Sequence, residues 1–383
     1  MGILTSDAAK RRLFLPAAVL GASTLLLASC GQAPEESGSN GETGSASATG
    51  AAAEVGSDNS DYKACIVSDE GGFDDRSFNQ SSYEGLKAAE KEFGIQVAEA
   101  ESHAVGDYVP NMNNMIDANC QLIVGVGYQL GETIMPISKD NSEIKFVGVD
   151  VTAEGYPDNV RNIIFDTAQA AFLAGYAAAG MTETGTVATY GGMEIPTVSI
   201  FMDGFARGVD HYNEVKNGNV KVLGWDKDAR TGSFTGDFTN QNAGKTNTTN
   251  FINEGADIIM PVAGRAGLGT LDAIKEANAE GASAKAIWVD ADGYETTNDG
   301  EVILTSVMKL MGDAVKNVIA EDLNDEFTPE AYVGTLENEG VALAPFHDFD
   351  GDVPQELKDE LEQLRKDIIS GEVEVGAEDS PEA

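Results

Sequence analysis

The chain has 383 residues, 42% of them apolar, and carries 64 Asp+Glu against 24 Lys+Arg, a formal net charge of −40. That length suits two lobes rather than one. Such a charge excludes nucleic-acid polymers, whose binding needs Lys and Arg to replace phosphate counterions, and it excludes adsorption on anionic lipid. It names no ligand, because excess carboxylate sets solubility and salt tolerance.

The charge is uneven along the chain. Residues 1–29 hold Lys10, Arg11 and Arg12 against Asp7, whereas 31–61 hold six acids and no base. Residues 350–383 hold twelve acids and three bases, leaving 45 acids and 18 bases in 62–349.

Lys10-Arg11-Arg12 precedes an apolar run, Leu13 to Ala28, too short for a membrane span of about 20 residues. It has the basic and apolar regions of a secretory signal. Its end, Leu27-Ala28-Ser29-Cys30, resembles a bacterial lipobox, so 1–29 is expected to be a lipoprotein signal and Cys30 the lipidated residue. Arg11-Arg12-Leu13-Phe14-Leu15 also resembles a twin-arginine signal, which leaves the general secretory and twin-arginine routes both open. Residues 30–61, poor in large apolar side chains, are expected to be a flexible tether with a span of roughly 30 Å. The expected location is therefore the extracytoplasmic face of the cell membrane, with the membrane as a partner through the lipid.

From Tyr62 onward short apolar runs alternate with amphipathic ones. Strands are predicted at Lys63–Ser68, Ile95–Glu101, Gln121–Val126, Lys145–Asp150, Val160–Phe165, Thr186–Tyr190, Val220–Trp225, Ile258–Val262, Ala286–Asp290 and Val302–Val307. Helices are predicted at Asn79–Phe93, Val109–Ala118, Glu132–Asp140, Ala168–Met181, Val198–Val215, Thr246–Glu254, Leu268–Ala279 and Lys309–Ala320. This alternation predicts an α/β fold with parallel sheets covered on both faces, and ten strands predict two lobes. Tyr332–Leu336 and Val341–Pro345 read as a late hairpin. Asp352-Val353-Pro354 opens a last helix to Ser370, Gly371 ends it, and Glu372–Ala383 is expected to be a frayed acidic tail. Cys65 and Cys120 each start a predicted strand in an oxidising compartment. A disulfide and two buried free thiols are both compatible with that placement.

Enzyme chemistry finds no support. His103, His211 and His347 stand singly, neither Asp290-Ala291-Asp292-Gly293 nor Asp348-Phe349-Asp350-Gly351-Asp352 has the spacing of a calcium loop, and no phosphate-binding loop is present. No metal and no cofactor is expected. Polar residues instead gather just after the strands: Asp69 and Gly71-Gly72, Gly127-Tyr128, Asp150, Gly191-Gly192, Ala263-Gly264 and Asp290. Ligands of open α/β sheets bind beyond the carboxyl ends of the strands, where glycines admit a ligand close to backbone and carboxylates accept its N–H or O–H donors. Repetition at one topological position predicts a small-molecule site there.

The segment from Asp69 to Gly85, Asp-Glu-Gly-Gly-Phe-Asp-Asp-Arg-Ser-Phe-Asn-Gln-Ser-Ser-Tyr-Glu-Gly, closely resembles the signature of the basic membrane protein family of lipoproteins, which includes purine nucleoside receptors of ABC importers. The resemblance continues through Gly125–Leu130, Phe146–Asp150, Phe172–Gly175, Gly204–Val209, Val262-Ala263-Gly264 and Thr305–Lys309, and so covers about 62–345. It implies a type I periplasmic-binding-protein fold: two doubly wound lobes, about 62–165 with 295–330 and 166–294 with part of 331–345, joined by three hinge crossings, with 346–383 as an appended helix and tail. It implies a purine nucleoside as ligand, permease and ATPase subunits as partners, and a monomer.

Residue by residue, the resemblance makes Asp69 the carboxylate that accepts from a purine edge, Phe78 the aromatic stacked on the base and Asn79 the amide that reads it. Asp290 matches the carboxylate for ribose hydroxyls, with Lys309 and the backbone near Gly264 closing the sugar side; Tyr128 and Asp150 are further cleft residues. Where the family usually has a second aromatic before Val-Ala-Gly, Met260 stands near that place, and where it often has two glycines after the alanine, the chain has Gly264-Arg265. Arg265 either alters sugar selectivity or points to solvent, while Asp74, Asp75 and Ser77 are expected to shape the loop and cap the following helix. Other readings are a receptor for another small solute, such as a sugar or signalling molecule, and an anchored sensor without a transport role.

Overall fold

The computed structural model describes residues 55–381. The signal region, Cys30 and most of the expected tether lie outside the described residues. Val55–Asp61, expected to be tether, instead lie against the first lobe. The Asn59 amide donates to the Phe93 carbonyl at 2.8 Å and the Gln96 amide to that of Ser60 at 2.6 Å, while Val55 packs against the core.

In chain order the elements are β1 (Lys63–Val67), α1 (Phe78–Phe93), β2 (Gln96–Ala100), α2 (Tyr108–Asp117), β3 (Leu122–Val126), α3 (Leu130–Asp140), β4 (Lys145–Val149) and β5 (Val160–Phe165). Then come α4 (Thr167–Met181), β6 (Thr186–Gly191), α5 (Pro196–Lys216), β7 (Lys221–Leu223), β8 (Trp225–Asp226), β9 (Thr231–Gly232), α6 (Gln241–Asn253), β10 (Ile258–Val262), α7 (Leu268–Ala279) and β11 (Lys285–Asp290). The chain ends with α8 (Gly293–Thr296), β12 (Ile303–Lys309), α9 (Met311–Leu323), β13 (Tyr332–Gly334), β14 (Val341–Leu343) and α10 (Gln355–Ser370).

The apolar runs of β1, β3 and β10 are buried along nearly their whole length, as parallel strands covered on both faces must be. One sheet runs β2-β1-β3-β4-β5-β13, all parallel. The other runs β7-β6-β10-β11-β12-β14, parallel except for β14. In each sheet the strand order reverses beside the first strand, at β1/β3 and at β6/β10. Ligand crevices open at such switch points.

Small residues set the helix packing. Gly175 and Gly208 let α4 and α5 approach until backbone meets backbone, with no room for a Cβ against the Phe205 and Phe172 carbonyls. The apolar α4 is accordingly buried nearly all round. Among the described residues no helix is long and apolar enough to cross a membrane. Cys65 and Cys120 are joined by a disulfide, Cα–Cα 6.0 Å, which ties β1 to the entrance of β3.

Three expectations need correcting. Residues 295–309 belong to the second lobe, not the first, because β12 pairs with β11 and the chain crosses only at Leu310; α9 then returns to the first lobe against α1. Tyr332–Leu336 and Val341–Pro345 form no hairpin: β13 pairs with β5 in one sheet and β14 with β12 in the other, so their connection is the third hinge crossing. The tail is docked rather than frayed through Pro381. Asp379 accepts from Ser199 Oγ at 2.6 Å and pairs with Arg230, and Ser380 Oγ donates to Asp166 at 2.8 Å in the first crossing. Arg230, the Ser199 hydroxyl and the Asp166 carboxylate hold an acidic segment that composition alone leaves solvated.

Candidate functional site

The carboxyl ends of both sheets face one cleft between the lobes. The space in it open to a water molecule is about 60 Å³, so the two lobes stand close together there. Asp69, Phe78, Asn79, Tyr128, Asp150, Gly264, Asp290 and Lys309 line it. Met260 does not. It is fully buried in β10, in one core cluster with Val262 and Phe205, and its carbonyl accepts from Thr189 Oγ1 at 2.9 Å.

One end of the cleft is built on the β1–α1 loop. The Asp75 carboxylate gathers the loop by accepting backbone N–H groups from Ser77 (3.0 Å), Asn79 (2.8 Å) and Gln80 (3.0 Å), which start α1. Asn79 donates to Asp69 Oδ1 at 2.7 Å and to Asp75 Oδ2 at 3.0 Å, and accepts from the Asp69 backbone N–H at 3.2 Å. Both its donors are thus spent on the protein, so Asn79 fixes Asp69 and has only an Oδ1 lone pair left for the cleft. Asp69 Oδ1 also accepts from the Gly71 N–H at 2.9 Å, whereas Oδ2 takes no hydrogen bond among the described residues. That oxygen lies over Gly127, whose φ of 115° and missing side chain make room for it: a Cβ there would meet Oδ2 at 2.8 Å. Enclosure by protein atoms pushes the Asp69 carboxyl up to about 7 against the opposing Gly71 and Asn79 hydrogen bonds.

The other end is a charge cluster at the hinge. Lys309, the last residue of β12, ion-pairs with Asp150 and stands 3.8 Å from Asp290 Oδ1, all three buried. Its ammonium also lies 5.2 Å from the Phe78 ring centroid and 5.1 Å from that of Phe201, within cation–π range. Asp290 Oδ2 accepts from Ser77 Oγ at 2.7 Å, a contact from the first lobe. Burial raises both carboxyls, Asp290 to about 6, with Lys309 opposing the rise at each. Asp150 just after β4 and Asp290 at the end of β11 stand at equivalent places in the two lobes, and both have left-handed backbone, φ 58° and 70°. Strain at paired binding-site positions persists only where the surroundings enforce it.

Sequence reasoning missed much of the apolar wall. Ile195, Thr197, Val198 and Phe201 come from the start of α5, and Phe238 from the loop before α6. Phe201 and Phe238 supply the aromatic surface expected near Met260. No local motif marks them, because a helix amino end reaches the cleft only through the second lobe's topology. Two loop residues expected only to cap do more than that: Asp74 reaches Arg265 of the second lobe at 2.9 Å and Ser77 reaches Asp290.

Two α/β lobes, three crossings and a polar-ended aromatic cleft between them define a type I periplasmic-binding-protein fold. Residues 63–379 match the Bmp family model, described as ABC transporter substrate-binding protein PnrA-like. The chain belongs to this family, and the match runs past residue 345 through α10 into the docked tail.

The nucleoside-binding protein BmpA of an ABC transporter of Lactococcus lactis subsp. cremoris is 30% identical over 382 residues, covering 96% of this chain and 99% of that protein. Basic membrane protein A of Borreliella afzelii is 30% identical over 316 residues, 81% and 90% of the two chains. Among solved structures, an ABC-system solute-binding protein from Aeropyrum pernix K1 shares the fold at TM-score 0.74 and 23% identity, over 82% of this chain and 92% of that one. The chain is therefore an extracytoplasmic ligand-binding component that works with transporter subunits, and not an enzyme.

Proposed function

We propose that this protein is a lipid-anchored receptor that captures a purine nucleoside by lobe closure and delivers it to the permease and ATPase of an importer. The observation that carries the reading is the division of the cleft. A constrained carboxylate with one free oxygen, Asp69, stands at one end, aromatic walls lie between, and the Asp150–Lys309–Asp290 cluster occupies the other. A base is flat, apolar on its faces and rich in edge N–H donors, whereas ribose presents vicinal hydroxyls. Stacking on Phe78 and Phe238 is generic to bases, and the carboxylates supply discrimination. The Lactococcus lactis relative, named a nucleoside-binding protein, supports the same ligand class. Closure follows if the ligand touches both lobes at once, Asp69 from the first and Asp290 from the second, and so binds the closed form better.

Isothermal titration with inosine, adenosine and guanosine, and with ribose and arabinose as controls, tests the assignment. Nucleosides are expected to bind, and Asp69→Ala and Asp290→Ala each to weaken binding tenfold or more, about 1.4 kcal/mol. Sugar binding without nucleoside binding, or unchanged affinity in both variants, rejects it. Anchoring through Cys30 is tested by membrane fractionation: Cys30→Ser is expected to release the protein into the soluble fraction, and continued membrane retention rejects the anchor.

A further inference from the structure

A solvent-side notch lies next to the cleft, lined by Asp74, Arg76, Gln241, Leu268 and Asp272 among others. Arg265 lines both the notch and the cleft, and so forms part of the wall between ligand space and bulk water. Its backbone is fixed in the turn after β10, where the Ala266 N–H donates to the carbonyls of Phe238 at 2.9 Å and Ala263 at 3.1 Å. From this mount on the second lobe the guanidinium reaches Asp74 on the β1–α1 loop of the first, Nη1 to Oδ1 2.9 Å.

Nearby, the same loop is held to the second lobe by other contacts. The Arg76 carbonyl accepts from Trp288 Nε1 at 3.2 Å and from Thr296 Oγ1 at 2.9 Å, and Arg76 has a left-handed φ of 63°. Ser77 Oγ donates to Asp290. The loop that builds the Asp69 end therefore also meets the opposite lobe when the two are together. Within this seam Arg265–Asp74 is the salt bridge, and its side chains are 39% and 70% exposed.

We infer that Arg265 and Asp74 form a latch across the cleft mouth, which favours the closed arrangement of the lobes and lengthens the residence of a bound ligand. The inference rests on closure around a ligand, as in the function proposed above. An exposed monodentate pair is weak and screened by salt. The latch is thus a trimming device on closure, worth about a two- to fivefold change in the open-to-closed ratio. Charge is its working element, so it is salt-sensitive where the Arg76 and Ser77 contacts are not.

The test places spin labels at Val109→Cys and Val215→Cys, both about half exposed and on different lobes, in a Cys30→Ser background that leaves the native disulfide intact. Pulsed electron-spin distance measurements on the ligand-free protein then report the open and closed populations. Arg265→Gln and Asp74→Asn are each expected to raise the open-to-closed ratio about two- to fivefold. Raising KCl from 0.1 to 1 M is expected to do the same to the parent and to leave the variants unchanged. The exchanged pair, Arg265→Asp with Asp74→Arg, is expected to restore the parent distribution.

Unchanged distances in both single variants, or an identical salt response in parent and variants, overturns the latch. Stopped-flow release of inosine is expected to accelerate by the same factor, with little change in the association rate. If inosine does not bind, the ligand assignment falls while the distance measurement still decides the latch.

Discussion

Replacing Asp69 by asparagine separates the binding role of this carboxylate from its cost to the fold. Its carboxyl is raised from 3.8 to about 7, chiefly because it is enclosed by protein, with the charges of Asp75 and Glu70 adding to the effect. Between about pH 4 and pH 7 the folded chain therefore keeps a proton that the unfolded chain has released. Stability present below the unfolded value is lost as pH rises through the folded one. A shift of about three units corresponds to a ceiling of about 4 kcal/mol. Asparagine has the same shape, still accepts from the Gly71 N–H and carries no charge at any pH. It also brings an NH2 group that must find a partner in the cleft, so the gain falls below the ceiling. We expect Asp69→Asn to be no more stable than the parent near pH 4 and to be more stable by at least about 1 kcal/mol above pH 7, a rise of a few degrees in Tm. Differential scanning calorimetry of the ligand-free proteins from pH 4 to 9 measures this. A difference that does not vary with pH, or a less stable variant at pH 8, refutes the reasoning. Nucleoside affinity should fall in the same variant, so that binding and stability move in opposite directions.

Other perturbations address separate parts of the molecule. Phe238→Ala removes one aromatic wall and is expected to weaken nucleoside binding by about 1–2 kcal/mol by titration calorimetry; an unchanged affinity places the base elsewhere. Replacing Cys65 and Cys120 together by alanine frees a loop with a sequence separation of 55, and chain-entropy arguments give a loss of about 4 kcal/mol in urea melts. A melt unaffected by both reductant and the double substitution refutes that estimate. Asp379→Ala removes the acceptor for Ser199 and the partner of Arg230, and should cost about 1–2 kcal/mol by the same assay. No loss would show that the tail docks without stabilising the lobes.

How much was legible follows from which signals are local. Continuous apolar strands such as Leu122–Val126 and Ile258–Val262 announce themselves, because a parallel strand covered on both faces has no polar side to blur the pattern. The Gly and Asp residues behind those strands converge because parallel strands put all their carboxyl ends on one edge. Lobe membership was less legible. Nothing between Glu301 and Lys309 says which sheet the strand joins, and β13 and β14, at three residues each, read alike until their partners are known. Phe201 and Phe238 escaped because their approach to the cleft depends on how α5 and the loop before α6 lie over the second sheet. Met260 was placed near the cleft by its position before Val-Ala-Gly, but it sits on the strand itself, where side chains enter the core.

The three crossings also govern the order in which the molecule can assemble. The first lobe begins at β1, yet its helix α9 and edge strand β13 lie beyond the whole of β6–β12. Its sheet stays open at one side until residue 334 is available, and the second sheet waits for β14 in turn. Neither lobe is a contiguous stretch that can mature alone while the rest is still being made. The folding reaction must close long chain loops before either edge is covered, which makes it slow compared with that of a helical bundle of similar stability. Cutting the gene at any single point will therefore not yield two independent halves.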